Sequence, residues 1–331
     1  MSIRAATVAL ALGALAVAAA GCGLGAGSRP TAVQLLVTRD FGAGVLVQTA
    51  APHQRGQDTV MSLLRRNARV TTRYSGGFVQ SIGALAGGTE GGRPVDWFYY
   101  VNGVEARRGA AEVDVHAGDR VWWDRHDWSQ TDDVPAVVGS FPEPFLDGLE
   151  GKRLPVRLEC ESASSPACRA AAAALRSVGV AAAVAAPGAS PGTQTLRVLV
   201  GTWAQIARDP AAALLTQGPR GSGVYARFAA GGRALELLGP GGKVARTLTG
   251  SAGLIAATRH DEDAPAWLLT GTDTAGVELA ARALSQANLE HRFAVAVAAP
   301  GTIPLPVAPA PGPGDVGQAA LAGAGTGTGT P

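Results

Sequence analysis

The chain has 331 residues, enough for two ordinary domains plus tails, and 47% of them are apolar, although much of that share is alanine and valine diluted by 45 glycines and 21 prolines. A formal charge of +2 over such a length gives no footprint for nucleic acid, because neutralising phosphates needs clustered Lys and Arg. Nucleic-acid partners are therefore excluded.

The first residues read as a targeting segment. Arg4 supplies a short positive region, and the apolar stretch from Ala5 to Ala20 is too short to span a bilayer before it ends at Ala19-Ala20-Gly21-Cys22. That ending resembles a bacterial lipobox. It assigns residues 1–21 to a lipoprotein signal peptide, Cys22 to lipidation and residues 22–31 to a flexible tether; the competing reading is an ordinary secretory signal cleaved nearby. Either reading places the mature chain outside the cytoplasm, and the first anchors it through an amino-terminal lipid to the outer face of the cell membrane.

The next expected domain covers residues 32–146. Val33 to Thr38 and Gly44 to Val47 read as two strands around Phe41-Gly42-Ala43. Asp58 or Thr59 is positioned to cap a helix with Val60, Leu63 and Leu64 on one face and Arg65, Arg66 and Arg69 on the other. Further strands are expected at Val70–Tyr74, Phe78–Ile82, Trp97–Val101, Glu112–Val115 and Arg120–Trp123. One helix laid on a mixed sheet describes an α+β domain of the β-grasp class.

The aromatic residues gather in this half. Of the seven Phe, six Trp and four Tyr in the chain, eleven lie between Tyr74 and Phe145. The run Asp96-Trp97-Phe98-Tyr99-Tyr100-Val101 reaches Asn102-Gly103, the dipeptide best suited to the positive φ angles of a type I′ turn, so it reads as one arm of a hairpin. Large rigid rings supply contact energy wherever they collect, and strand alternation gives them two faces. One face is expected in the core. The other is either a ligand-facing shelf or is covered by the extension Ser129–Phe145, whose Ser140-Phe141-Pro142-Glu143-Pro144-Phe145 reads as an extended strap. The candidate ligand-binding residues are Trp97, Tyr99, Tyr100, Asn102, Trp122, Trp123 and Trp128. Asp124-Arg125-His126-Asp127-Trp128 with His116 offers carboxylates and imidazoles for a metal, but without a further ligand at recognisable spacing it reads as a solvated strand end with local salt bridges, and no metal is assigned.

Taken together, Thr59-Val60-Met61-Ser62-Leu63-Leu64, Gly77 to Ile82 with Gly87-Gly88, Trp97 to Gly103 and Gly118-Asp119-Arg120-Val121-Trp122-Trp123 resemble the bacterial DUF4430 family over about residues 33–128. That family is similar to the C-terminal domain of transcobalamin and intrinsic factor. The resemblance implies a β-grasp-like fold and a corrinoid or other flat hydrophobic ligand, or a role beside an uptake system. The animal carriers complete their site with an all-helical domain, and nothing in Leu154–Pro331 reads as one.

Residues 154–298 change to a strand, turn, helix grammar expected to give a small three-layer α/β domain with a mostly parallel sheet. Strands are expected at Pro155–Leu158, Val180–Val184, Leu196–Val200, Gly223–Phe228, Ala266–Thr270 and Phe293–Val297, and a hairpin at Ala234–Leu238 with Val244–Leu248. Helices are expected from Ala167 to Ser177, from a cap at Thr202 to Leu215, and from a cap at Thr272 or Thr274 to Ala287. The turns Gly201-Thr202 and Gly271-Thr272 stand where open α/β sheets hold polar ligands, although Gly-Thr is equally the ordinary chemistry of a capped turn. Cys160 and Cys168 are expected to pair as a structural disulfide. No Gly-x-Ser-x-Gly elbow is present and the five histidines are scattered, so neither catalysis nor a cofactor is assigned. Residues 299–331, rich in Pro, Gly, Ala and Thr, are expected to be a disordered tail.

Two functions follow as expectations. One is a lipid-anchored, non-catalytic ligand-binding protein; the other is a cell-envelope structural or interaction lipoprotein with no small-molecule ligand.

Overall fold

The computed structural model describes residues 32–51, 58–188 and 192–308. The expected signal peptide and tether, the lipidation expected at Cys22 and the segment from 309 onward lie outside them. The described residues form a mixed α+β molecule with several sheets, and no helix among them is long and apolar enough to cross a membrane.

The first half contains β1 (Val33–Arg39), β2 (Gly44–Ala51), α1 (Val60–Asn67), β3 (Val70–Arg73), β4 (Phe78–Ile82), β5 (Leu85–Ala86), β6 (Gly88–Glu90), β7 (Arg93–Val101), β8 (Val104–Glu105) and β9 (Arg120–Asp127). The main sheet runs β2-β1-β9-β7-β6, with β8 beside β7. Its central pair, β1 and β9, is parallel, while β1 with β2 and β7 with β9 are antiparallel. Alternation sends Val33, Leu35 and Val37 to the face that α1 covers with Val60, Leu63 and Leu64. Thr59 and Ser62 cap α1 reciprocally, and Arg66 turns back to the buried carboxylate of Asp58 at the same helix end. The ladder β3-β4-β5 forms a separate small sheet.

Glu112–Val115 is not a strand. Only Asp114 makes a bridge, to Thr59, because the carbonyls of Ala110 and Val113 accept the N–H groups of Met61 and Val60. The segment satisfies the orphan donors of a helix start instead of a sheet ladder.

The second half contains β10 (Val156–Cys160), α2 (Pro166–Ser177), β11 (Ala182–Ala185), β12 (Leu196–Thr202), α3 (Trp203–Ile206), α4 (Pro210–Ala213), α5 (Pro219–Ser222), β13 (Ala226–Phe228), β14 (Leu235–Leu238), β15 (Val244–Leu248), β16 (Gly253–Thr258), β17 (Ala266–Gly271), α6 (Thr274–Ala283), α7 (Gln286–Leu289), β18 (Ala294–Ala298) and β19 (Gly301–Leu305). Its main sheet runs β11-β10-β12-β17-β16-β18-β19. The first four strands are parallel, as the strand and helix alternation implies. The remaining pairings are antiparallel, because β16, which the sequence reading passed over, inserts between β17 and β18. Cys160 and Cys168 are joined by a disulfide.

Three helix and tail expectations change. The helix after Thr202 breaks at Asp209-Pro210, where Asp209 caps a new turn. Asp273, not Thr272 or Thr274, caps α6, which stops at Ala283 before the short α7. Gly301–Leu305, expected in the tail, instead forms the edge strand β19.

The halves share a core. Phe41, Tyr100 and Trp122 pack against Phe293, Leu254 and Ala296 in one continuous buried cluster. The close approach is marked at Gly42, whose φ is +84° and where an added Cβ would stand 2.1 Å from the His291 carbonyl oxygen.

Candidate functional site

The aromatic hairpin is covered on both faces. Trp97, Tyr99 and Trp123 point toward α1, and Tyr99 stacks on Trp123 at 4.8 Å. Tyr100 and Trp122 point toward the second half, where the Phe293 ring lies 5.6 and 5.2 Å from theirs, edge-on. All five are under 9% exposed; only Trp128, at 37%, reaches solvent among the seven candidate residues. The expected shelf is therefore an inter-domain core. The cover is mainly the second half, because the strap sends Phe141 and Phe145 onto Trp267 and contributes only Val134 and Val137 to the hairpin side.

Asn102 is equally internal. At φ +53° it starts the expected turn, and its amide donates to Asp119 and to the Gly148 carbonyl, each at 2.8 Å, while its oxygen accepts the Arg120 N–H. Every polar atom of this side chain is used inside the protein.

Asp124, Arg125, His126 and Asp127 are also buried, contrary to the expected solvated strand end. Asp124 accepts from the N–H groups of Phe41 and Gly42 and from the Thr38 hydroxyl, and it pairs with His126 at 2.8 Å. The His126 ring is sandwiched between Phe41 and Phe98 at 4.6 and 4.5 Å. A buried carboxylate so fully engaged holds the β1–β2 turn against β9. Among the described residues no group of three or more His, Cys, Asp or Glu side chains is placed to hold a metal.

The two Gly-Thr turns are closed by their own side chains. Thr202 bonds Gln205 through both its N–H and its hydroxyl. At α6 the Asp273 carboxylate accepts from the Gly276 N–H and from Ser251, so it already occupies the helix N-terminus.

Open space lies along the junction instead. A small cleft of about 260 Å³, lined by Gln34, Arg120, Ser140 and His291, is bridged by the Gln48 amide donating to Glu290 at 3.2 Å. A larger cleft of about 850 Å³ is lined by Glu105, Arg108 and Glu112 from the first half, Lys152 from the connector, and Arg259 and Asp263 from the second. Arg107 crosses it to Glu262 at 2.8 Å, and Arg108 reaches Glu150 at 3.0 Å. Burial pushes the Glu105 carboxyl up to about 8 against the opposing bond from the Val134 N–H. Lys152 forms no ion pair among the described residues. These cleft residues come from β8 and the loop after it and from loops at 149–154 and 259–264, and no local pattern in the sequence marks them as one site.

Residues 57–127, from the start of α1 to the end of β9, match the family described as "Domain of unknown function (DUF4430)". No curated protein matches the chain.

Proposed function

We propose that this is a lipid-anchored, extracytoplasmic, non-catalytic binding protein whose ligand enters the larger cleft between the two halves. The strand order β2-β1-β9-β7 with a parallel central pair and one helix across it supports the β-grasp reading of the first domain. Helices α2 and α6 on one face of the second sheet, with α3–α5 and the β13–β15 ladder on the other, support a three-layer reading.

The observation that carries the proposal is the cleft itself. It has the size of a small-molecule site, both halves and their connector line it, and it places cationic and anionic side chains within one cavity of about 850 Å³. That lining suits a polar ligand bearing both an amine and a carboxylate, such as a short peptide, better than a flat hydrophobic one. The aromatic hairpin then serves as the joint that fixes the cleft's width.

The test is calorimetric titration with free amino acids, di- to tetrapeptides and cobalamin. An Arg108→Ala, Lys152→Ala double variant is expected to weaken peptide binding by roughly tenfold or more, as for lost charge-assisted contacts. Unchanged affinity in the folded double variant refutes the cleft. The second reading, an envelope interaction protein without a small ligand, is favoured by the complete burial of the hairpin rings, and silence from every ligand in the panel would select it.

A further inference from the structure

The β3–β4 hairpin of the first domain, whose Gly77 carbonyl lies beside Gly109, carries a run of like charge. Between Thr59 and Thr89 the chain has four arginines and no acidic residue. Arg66 is held by Asp58, but Arg65, Arg69 and Arg73 form no ion pair among the described residues and are exposed. Two of them flank the β3–β4 hairpin tip. The Arg65 guanidinium reaches across from α1 to the Thr72 hydroxyl at 3.4 Å, and Arg73 is the cross-strand partner of Phe78.

At that tip stand two solvent-reaching rings. Tyr74 is 82% and Phe78 39% exposed, and they contact each other edge-on at 6.3 Å. Tyr74 also has φ +51°, a conformation that is costly for a bulky residue. No burial of its ring within the fold repays that cost, and strain of this kind collects where a surface is used.

We propose that this hairpin tip docks on an anionic lipid surface, with Tyr74 and Phe78 entering the headgroup layer and Arg65 and Arg73 meeting lipid phosphates. Arginine and tyrosine suit that boundary because each joins an apolar body to a polar end. A soluble polyanion would match the charge but would leave both rings in water, and so a bilayer fits the patch better. The inference does not depend on the cleft binding anything.

Flotation of the full chain with vesicles tests it, because wild type and variants share the same leader and differ only at the patch. Partitioning at about 50 mM salt is expected to be roughly tenfold stronger on phosphatidylcholine with phosphatidylglycerol at about three to one than on phosphatidylcholine alone, and to fall by a similar factor at about 500 mM salt. The Arg65→Ser, Arg73→Ser variant is expected to lose the anionic preference. The Tyr74→Ser, Phe78→Ser variant is expected to lose the binding that survives high salt. All four positions are exposed, and circular dichroism checks each fold. Equal partitioning of wild type on the two vesicle types overturns the proposal, as does an unchanged preference in the arginine variant. Binding to soluble polyphosphate without vesicle partitioning also overturns it and assigns the patch to a polyanionic polymer.

Discussion

Phe293→Ala probes the joint between the halves. The Phe293 ring is 3% exposed and lies 5.2 Å from Phe41, 5.6 Å from Tyr100, 5.2 Å from Trp122 and 5.3 Å from His126. Truncating a buried phenylalanine costs about 3–5 kcal/mol through lost transfer energy and the cavity left behind. Four edge-on partners place this site toward the upper end, since such pairs add about 0.5–1.5 kcal/mol each to the area term. A loss of about 4 kcal/mol is expected, a large share of the roughly 5–15 kcal/mol that holds a folded protein together. It falls on both sides of the joint at once, because the Phe293 ring comes from the second half and its partners Phe41, Tyr100 and Trp122 from the first. In urea, followed by tryptophan fluorescence and far-ultraviolet circular dichroism, the midpoint falls and the two probes cease to coincide as each half melts separately. A loss below about 1 kcal/mol with coincident transitions would refute the shared core.

Asn102→Ala takes one of two donors from the buried Asp119 carboxylate, the side-chain donor from the Gly148 carbonyl and the acceptor from the Arg120 N–H, so a loss of about 2–4 kcal/mol in the same urea assay is expected; a change under about 0.5 kcal/mol contradicts the network. Glu105 and Glu143 have carboxyls raised by burial from an ordinary 4.5 to about 8 and about 7. Their contribution is therefore fully present below about 4.5 and is lost progressively as pH rises through 7 for Glu143 and 8 for Glu105. Thermal melting between pH 5 and 8.5 is expected to fall with pH in the wild type and to flatten in Glu105→Gln, Glu143→Gln; parallel curves would contradict the assignment. Reducing Cys160–Cys168, eight residues apart, is expected to cost about 2.5 kcal/mol by the loop-entropy relation, and an unchanged melting temperature with dithiothreitol would contradict it.

Local chemistry made much of the fold readable. The Thr59 cap, the Asn102-Gly103 turn and the apolar runs of β12 and β17 each announce themselves within a few residues. What failed was non-local. Leu254-Ile255-Ala256-Ala257 is apolar without a turn signal that fixes its direction, so β16 and its antiparallel insertion were missed. Alternation correctly divides Tyr99 from Tyr100, but only the fold shows that Phe293, nearly two hundred residues away, covers the second face. The same limit hides the cleft. Arg108, Lys152 and Arg259 are ordinary surface charges in sequence and become neighbours only when three loops meet.

The most direct test of the cleft is nuclear magnetic resonance on the deuterated protein, titrated with the amino acids, short peptides and cobalamin that form the binding panel. Amide shifts are expected to be confined to residues 101, 104–119, 149–154, 194 and 259–264, with those of Trp97–Tyr100 and Trp122–Trp128 unmoved. Shifts centred on Trp97–Tyr100 and Trp122–Trp128, or none from any ligand in the panel, would contradict the cleft as the binding site.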